Sequence, residues 1–388
     1  MHYFIPAVVT GSVSALIWIY LLLGRGRFWL VSPEKTRGSQ HTASVVVVVP
    51  ARDEAGFIAQ SITSLLRQHY GGPLHVILVD DGSRDGTAHI ATQAAEHVEQ
   101  RSRLTVVSGK PLPPGWSGKL WALQQGIEVA RDLQPNFFLC TDADVVHAPE
   151  TVAQVVGIAQ QGGYDLVSFM VKLHCRRDAE KLLIPAFVFF FFMLYPPAWI
   201  SDPKRRAAGA AGGCILITPE SLERAGGIEA IRDQIIDDCA LARRVKDSGG
   251  RVWLGTTTSS QSIRPYRSAF DIGSMISRTA FNQLHHSILM LLVAVVGLIV
   301  TYLVPIGLLF SQYASLAFLG ALLWFAISVA YLPTVILYRL HPLWALTLPL
   351  AAVFYLGATL HSAVRYWLGR GGRWKGRVQD PARASAAH

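Results

Sequence analysis

The hydrophobic pattern divides the chain into a central segment of short apolar runs and two ends with long ones. In the central segment, Thr36–Lys181, the run Val45–Pro50 begins with consecutive valines and has no polar alternation. Such a run is typical of a strand that is buried on both faces of a parallel sheet. Further strands are predicted at Val76–Val79, Leu104–Val107 and Tyr164–Lys172.

Helical segments separate these strands. Apolar residues recur at helical spacing in Phe57–Arg67, a helix is expected to begin near Thr87, and another follows Lys119. Strands that alternate with helices of this length predict an α/β fold with a doubly wound, mostly parallel sheet. In such sheets ligands bind outside the carboxyl ends of the strands.

Long apolar runs at the two ends predict transmembrane helices. Ile5–Leu23 is almost uncharged and long enough to cross a bilayer, which needs ~20 residues. It lacks a preceding basic segment and a clean cleavage site, so an uncleaved anchor is favoured over a signal peptide. Three further candidate spans are Ile288–Phe310, Tyr313–Tyr338 and Leu343–Trp367.

Leu182–Ile200 is another apolar run, but prolines, including the pair Pro196 and Pro197, interrupt it. A single crossing here would put acidic residues that we expect in one site on opposite sides of the membrane. We therefore predict a segment that dips into the membrane, lies on it or packs as a buried helix, and returns to the same side. Its phenylalanines, Phe187 and Phe189–Phe192, would line the approach of a lipid acceptor.

The pattern as a whole predicts five parts. These are an N-terminal transmembrane anchor (1–30), an α/β domain with an apolar insertion (43–260, insertion 182–200), an amphipathic connector (261–286), C-terminal transmembrane helices (287–368) and a basic tail (369–388). The connector includes Arg264–Arg278, and its pattern is compatible with a helix at a membrane interface or with an ordinary surface helix.

Composition and charge support a membrane protein. Of the 388 residues, 51% are hydrophobic and 16% charged, and the net charge is +9. Basic residues stand beside apolar segments, at Arg25, Arg27, Lys204–Arg206 and in the tail, which suggests contact with anionic lipid rather than nucleic acid. The isolated cysteines indicate neither a zinc site nor a disulfide framework.

The basic residues also bear on orientation. Arg25 and Arg27 place the chain that follows the anchor in the cytoplasm, by the tendency of basic residues to stay inside. Three complete C-terminal spans would then place the tail, with Arg370, Arg373 and Arg377, on the outside. Either one of these spans is re-entrant, or the tendency fails here.

Candidate chemistry starts where the apolar run Phe137–Val145 ends in Asp142 and Asp144. Along an extended backbone, side chains two residues apart point the same way. Two carboxylates held together are costly unless a cation shares them, and hard oxygen donors suit Mg²⁺ or Mn²⁺. The alternative is a polar turn that caps the helix expected near Pro149.

More acidic residues are expected on the same edge of the sheet. They follow the predicted strands and are Asp53, Asp80 and Asp81. The segment Gly115–Gly126 places Lys119 just before a helix, where backbone N–H groups favour a phosphate, although a purely structural helix start is an equal alternative.

A series of motifs, in this order, resembles the family-2 inverting nucleotide-sugar glycosyltransferases. It consists of P-x-R-D-E after the first strand, V-D-D-G-S-x-D-G-T, G-K-x-x-A-L-x-x-G, T-D-A-D, G-A-A-G-G-C-I-L-I (Gly209–Ile217) and I-I-D-D-C-A-L (Ile235–Leu241). The last one carries Asp237 where that family has Glu. With the flanking apolar segments, the chain is most similar to the hopene-associated and ceramide glucosyltransferase-like enzymes.

The resemblance implies a Rossmann-like GT-A nucleotide-sugar domain and a role for each matching residue. Asp238 would be the catalytic base, and Asp142 and Asp144 would hold Mg²⁺ or Mn²⁺. The donor-binding set would be Pro50, Arg52, Asp53, Asp80, Asp81, Lys119 and Asp142. On the acceptor side would lie Gly212, Gly213, Asp237 and Arg278.

We therefore expect an inverting, metal-dependent glycosyltransferase of the inner (cytoplasmic) membrane, with its catalytic domain in the cytoplasm. It would transfer a sugar from a nucleotide diphosphate, expected to be UDP, to a lipid hydroxyl, with a hopanoid as one acceptor. The alternatives are a processive polysaccharide synthase and a non-catalytic nucleotide-binding membrane protein. The first is disfavoured because the Q-x-x-R-W signature of such synthases is reduced to Arg278 within Met275–Thr279.

Overall fold

A computed structural model describes residues 4–34 and 41–369, and the backbone of residues 373–374 and 377–378. The side chains of the predicted basic tail lie outside the described residues. The chain separates into two units. We call them the α/β unit (Pro33–His174 and Trp199–Arg264) and the helical unit (the residues before Pro33, Cys175–Ala198, and those from Pro265 to Gly369).

The helices and strands alternate in the α/β unit, whereas helices alone make up the helical unit. The helices are α1 (Phe4–Ile19), α2 (Ile58–Leu66), α3 (Thr87–His97), α4 (Gly118–Arg131), α5 (Thr151–Gly162), α6 (Asp178–Leu194), α7 (Pro197–Ile200), α8 (Pro219–Arg224), α9 (Asp237–Asp247), α10 (Ala269–Gln283), α11 (Ile288–Leu298), α12 (Val304–Leu309), α13 (Ala314–Leu337) and α14 (Leu348–Trp367). The strands are β1 (Val45–Ala51), β2 (Leu74–Asp80), β3 (Leu104–Ser108), β4 (Phe137–Thr141), β5 (Val145–His147), β6 (Leu166–Lys172), β7 (Cys214–Ile217), β8 (Val252–Ser262), β9 (Arg373–Trp374) and β10 (Arg377–Val378).

The sheet of the α/β unit has the strand order β3-β2-β1-β4-β7-β6-β8-β5. The pairings of β1 with β2 and β4, and of β2 with β3, are parallel as predicted. Every residue of β1 is buried, which explains the unbroken valine run. In the other half β7 is antiparallel to β4 and β6, and β5 is antiparallel to β8. The α/β prediction is confirmed, and the sheet is mixed in this half.

Helix α4 packs closely on the sheet because its motif contains Gly126. A Cβ atom at Gly126 would lie 2.3 Å from Cγ1 of Val48 and 3.0 Å from Cγ2 of Val79. No side chain fits there unless the strand moves away. The last glycine of G-K-x-x-A-L-x-x-G therefore sets how closely α4, with Lys119 in its first turn, approaches β1 and β2.

We expect Gly126→Ala to destabilise the protein by about 1–3 kcal/mol, because the added methyl group overpacks the contact with β1. Thermal or denaturant unfolding in detergent measures this loss. The matched control is Gly56→Ala, because a Cβ atom at Gly56 meets nothing within 4 Å. Equal stability of the two variants would contradict the packing role of Gly126.

The α/β unit continues beyond the point at which the sequence pattern ends it. We expected the α/β domain to end at residue 260, but β8 runs on to Ser262 and pairs with β5. Arg264 follows directly, in the segment predicted to be a connector. The polar serines and threonines of β8 conceal this strand from a hydrophobicity pattern.

The helices that are long and apolar enough to cross a membrane belong to the helical unit, apart from Trp199 and Ile200 at the end of one of them. These candidate spans are Phe4–Gly24, Asp178–Ile200, Ile288–Leu309, Ala314–Leu337 and Pro342–Trp367. Large apolar side chains project outward from them, with Leu23, Phe310 and Phe318 exposed at 80%, 85% and 71%. An apolar exterior of this kind is typical of a lipid-facing surface. The predicted anchor and C-terminal spans are therefore confirmed as helices.

Helix α6, from the interrupted apolar run, packs as a buried helix within the helical unit. Phe189, Phe190 and Phe192 are 1%, 8% and 1% exposed. The ring of Phe189 lies against Tyr331, and that of Phe190 against Tyr302. The prediction that all these phenylalanines line a path for a lipid is thus wrong for these three, because they fill the interior of the unit.

The predicted connector forms helix α10. Its buried residues include Ile272, Ile276 and Phe281, and Ser362 of α14 joins it by accepting from the N–H of Phe281 and donating to the carbonyl of Ser277. Arg278, which was predicted on the acceptor side, therefore belongs to the helical unit.

Candidate active site

The acidic residues predicted for the edge of the sheet lie at or just after the carboxyl ends of β1, β2 and β4. Asp53 follows β1 and has a positive φ of 52°. Its N–H donates to Oγ of Ser83 (2.9 Å), and its Oδ1 accepts from the N–H of Arg84 (2.9 Å). Oδ1 of Asp80 accepts from the N–H of Ser83 (3.0 Å). The two loops are thus joined through the residues expected to bind the nucleoside.

Asp81 has a different environment from its neighbour Asp80. It is 2% exposed, and Nη1 of Arg52 lies 3.4 Å from its Oδ2 and donates to its carbonyl oxygen (2.5 Å). This pair, of which Asp81 is the buried member, links the ends of β1 and β2. Arg52 and Asp81, both predicted to bind the donor, therefore stabilise the loops that follow β1 and β2.

Lys119 lies between two acidic motifs that are far apart in sequence. Its helix is capped by Ser117, whose Oγ accepts from the N–H of Leu120. Nζ of Lys119 is 3.0 Å from Oδ1 of Asp142 and 3.5 Å from Oδ2 of Asp237. Burial lowers the pKa of Lys119, but these carboxylates outweigh burial and raise the pKa above its usual value.

Asp238 is the second residue of helix α9 and lies beside the glycine loop, Gly209–Ile217. Its Oδ2 accepts from the N–H of Gly212 (2.8 Å), and its Oδ1 accepts from the N–H of Cys239 (2.7 Å). Burial, and next the charge of Asp237, raise the pKa of Asp238 to about 6. A carboxylate with such a pKa is ionised at neutral pH and is a stronger base than an exposed aspartate.

The glycine loop brings its backbone close to these charged groups. A Cβ atom at Gly212 would lie 3.3 Å from Nζ of Lys119 and 3.4 Å from Oδ2 of Asp238. The carbonyl of Gly213 accepts from Oγ1 of Thr141 (2.7 Å), next to the acidic turn. Pro50 lines the same cavity of about 20 Å³ as Lys119, Asp142, Gly212 and Asp238.

Asp142 and Asp144 occupy the turn between β4 and β5. Burial raises the pKa of Asp142, and the charge of Asp144 adds to the shift while Lys119 opposes it. The Asp142 side chain is still 38% exposed, so solvent reaches it. Oδ2 of Asp144 accepts from Oγ of Ser262 and from Nε of Arg264, both at 2.9 Å.

The residues fit a divalent ion that is shared with a substrate. Oδ1 of Asp142 contacts Lys119, and Oδ2 of Asp144 accepts from Ser262 and Arg264. The second oxygen of each of these carboxylates accepts no hydrogen bond from the described residues. One or two carboxylates together with substrate phosphates and water are the usual Mg²⁺ environment. Among the described residues, no three His, Cys, Asp or Glu side chains could hold a metal ion by themselves.

Sequence reasoning missed Arg264 and Glu54 as members of the site. Glu54 stands beside Asp53 in P-x-R-D-E, which was the available signal, and it is 7% exposed. Arg264 had no signal, since it lay in a segment taken for a connector. Nη2 of Arg264 donates to Oε2 of Glu54.

The fold and site together define a GT-A-like α/β protein. Residues 46–223 match the family model described as Glycosyl transferase family 2. A solved mannosyltransferase, PcManGT from Pyrobaculum calidifontis in complex with GDP-Man and Mn²⁺, has a similar fold. Its TM-score is 0.56 at 18% identity, over 92% of this chain and 98% of the other.

Two of the curated relatives are described as transferases. An undecaprenyl-phosphate 4-deoxy-4-formamido-L-arabinose transferase from Pseudomonas savastanoi pv. phaseolicola is 31% identical over 32% of this chain. An N-acetylglucosaminyltransferase from Rhizobium leguminosarum bv. viciae is 30% identical over 52% of this chain. The matches span 34% and 44% of these relatives, less than half of their length.

Proposed function

We propose that the chain is a membrane glycosyltransferase that transfers one sugar from a nucleotide-diphosphate sugar to a lipid hydroxyl, with inversion. The observation that carries this proposal is the convergence of Asp142, Lys119 and Asp238 on the Gly212 loop. This arrangement places Asp142, a carboxylate suited to binding the metal–diphosphate, near Asp238, a carboxylate suited to removing a proton. The family match at 46–223 supports the same chemistry.

Each polar residue has a defined task in this reaction. Asp238 accepts the proton of the acceptor hydroxyl as its oxygen attacks the sugar carbon. Gly212 and Cys239 hold the Asp238 carboxylate by their N–H groups. Inversion follows because a single displacement forms no bond between sugar and protein. Asp142 and Asp144 would hold Mg²⁺ or Mn²⁺, which supplies charge stabilisation for the leaving diphosphate.

The helical unit supports a lipid acceptor. Its outward apolar side chains match a bilayer, and curated relatives such as the Pseudomonas transferase are described with undecaprenyl phosphate. A lipid phosphate is therefore a second candidate acceptor, favoured by those relatives. The hopanoid acceptor rests on the motif resemblance alone. The proposed setting is the inner membrane, with the α/β unit in the cytoplasm because of Arg25 and Arg27.

The two other candidate functions have less support. A processive synthase would need an acceptor-side Q-x-x-R-W motif, and only Arg278 of that motif is present in Met275–Thr279. A nucleotide-binding protein without catalysis would not need a buried base. The surroundings of Asp238 suit a base, since burial and the charge of Asp237 raise its pKa to about 6.

A donor and acceptor screen tests the proposed function. Detergent-solubilised full chain is incubated with UDP-, GDP- or dTDP-sugars and a membrane lipid extract, and products are identified by mass spectrometry. We expect one lipid that gains one sugar. A ladder of sugars would instead establish a polymer synthase, and nucleotide binding without any product would establish the non-catalytic alternative.

We expect kcat/KM for transfer to a hydroxyl to fall about tenfold per pH unit below pH 6. The base works only when it is ionised, and the pKa of Asp238 is raised to about 6. Rates measured from pH 4.5 to 8 give the profile. Asp237→Asn should move this limb to lower pH, because the Asp237 charge contributes to the raised pKa. An unmoved limb in Asp237→Asn would show that another group titrates.

A further inference from the structure

Arg264 contacts two carboxylates and an aromatic ring. Its Nε donates to Oδ2 of Asp144 (2.9 Å), and its Nη2 donates to Oε2 of Glu54. The guanidinium carbon also lies 4.6 Å from the ring centroid of Phe57. Arg264 follows β8, outside the residues 46–223 that match the family model.

The two carboxylates that share Arg264 are largely withdrawn from solvent. Asp144 and Glu54 side chains are 15% and 8% exposed, whereas Arg264 is 35% exposed. The three groups carry a net charge of −1. Arg264 therefore already neutralises part of the charge on Asp144, the carboxylate assigned to the metal.

A guanidinium on a metal ligand has two opposing effects. As a hydrogen-bonding partner it orients the carboxylate, and such outer contacts are typically worth about 10–100-fold in metal affinity. As a cation it repels a divalent ion, and at contact distances and an effective dielectric constant near 20 this repulsion exceeds about 100-fold. The repulsion is the larger effect, so Arg264 weakens binding of the metal ion when no donor is bound.

We propose that Arg264 is the resident counter-ion of Asp144 and couples metal binding to donor binding. Without the donor, the guanidinium holds Asp144 and keeps its affinity for a divalent ion low. The negative charge of a nucleoside diphosphate offsets the guanidinium, so that metal and donor bind together. Glu54 retains Arg264 when Asp144 is engaged by the metal. This role rests on the proposed function of Asp144.

The test measures Mn²⁺ binding directly, by the electron paramagnetic resonance signal of free Mn²⁺. Full chain in detergent is titrated with and without UDP or GDP. We expect weak binding to the wild type that tightens at least tenfold with the nucleotide. Arg264→Gln should bind Mn²⁺ alone at least tenfold more tightly than the wild type, and depend less on the nucleotide. Arg264→Lys retains the charge and should stay close to the wild type.

Two further variants complete the design. Arg251→Gln is the matched control, since this arginine lies over the Tyr164 ring of the same unit, and it should leave Mn²⁺ affinity unchanged. Glu54→Gln removes the negative charge that competes with Asp144 for Arg264 and should weaken Mn²⁺ binding, which keeps the test decisive if Arg264→Gln does not fold.

The outcomes separate this inference from the proposed function. Mn²⁺ affinity of Arg264→Gln equal to or below that of the wild type, or tight nucleotide-independent binding by the wild type, overturns the role of Arg264. If Arg264→Gln does not fold, Glu54→Gln is the deciding variant. Unchanged or tighter Mn²⁺ binding by Glu54→Gln would then overturn the role of Arg264. Sugar transfer that proceeds without any Mn²⁺ or Mg²⁺ binding overturns both the role of Arg264 and the metal assignment, but leaves the transferase activity standing.

Discussion

Asp238→Asn lowers the rate of sugar transfer to a lipid hydroxyl by about 10²–10⁴-fold, the usual contribution of a positioned general base. The affinity for the nucleotide-sugar changes little, because the lost interaction belongs to the transition state. Asparagine has nearly the same shape, and its one oxygen still accepts from one of the two N–H groups that hold Asp238, those of Gly212 and Cys239. Single-turnover transfer and equilibrium donor binding, measured on the same preparation, separate the two effects.

The matched control for this variant is Asp237→Asn, which changes the neighbouring carboxylate. Asp237 contacts Lys119 at 3.5 Å, and no hydrogen bond joins it to the Gly212 loop within the described residues. It should therefore keep most of the rate at pH 8. If Asp237→Asn loses the rate and Asp238→Asn retains it, Asp237 is the base. If donor binding collapses in Asp238→Asn, that residue contacts the donor instead.

Asp238→Asn also distinguishes the two candidate acceptors. A hydroxyl must lose a proton as it attacks, whereas a phosphate monoester has its second pKa near 6 and is mostly unprotonated at pH 8. Transfer to a lipid phosphate therefore does not require Asp238. A variant that glycosylates a lipid phosphate at the wild-type rate, but no hydroxyl, would assign the acceptor as a phosphate.

Local pattern was sufficient for the strands β1–β4 and β6 and for the acidic edge. Asp80 is the last residue of a buried apolar strand, Asp53 and Asp142 follow such strands within two residues, and parallel strands place their carboxyl ends at one edge. The helix that follows Lys119 was predictable from its spacing. These features depend on neighbours in sequence, so a single sequence contains them.

The pairings across the site were not predictable. Arg264 meets Asp144 across 120 residues and Glu54 across 210 residues, and neither contact has a local signal. Strand β8 is polar over much of its length, which hid its extent. For α6, phenylalanine-rich composition suits a lipid-facing helix and a buried one equally, so only packing distinguishes them.

Asp144→Asn should lower turnover on the order of 10³-fold or more, because a divalent ion contributes several kcal/mol to charge stabilisation in the transition state. The fold should persist with a loss of about 1 kcal/mol, since the amide still offers Ser262 and Arg264 a neutral acceptor. Arg264 also retains Glu54. Turnover, Mn²⁺ affinity with UDP or GDP present, and thermal unfolding are measured together.

The control for Asp144→Asn is Asp132→Asn, which removes an exposed carboxylate at the end of α4. It should match the wild type in all three measurements. In Asp144→Asn we expect turnover and Mn²⁺ affinity to fall together, because the Asp144 carboxylate binds the ion on which turnover depends. Full turnover in this variant, or in wild type with excess chelator, would contradict the metal assignment. Lost turnover with unchanged Mn²⁺ affinity would instead place Asp144 on the donor sugar, and leave Asp142 as the carboxylate that holds the ion.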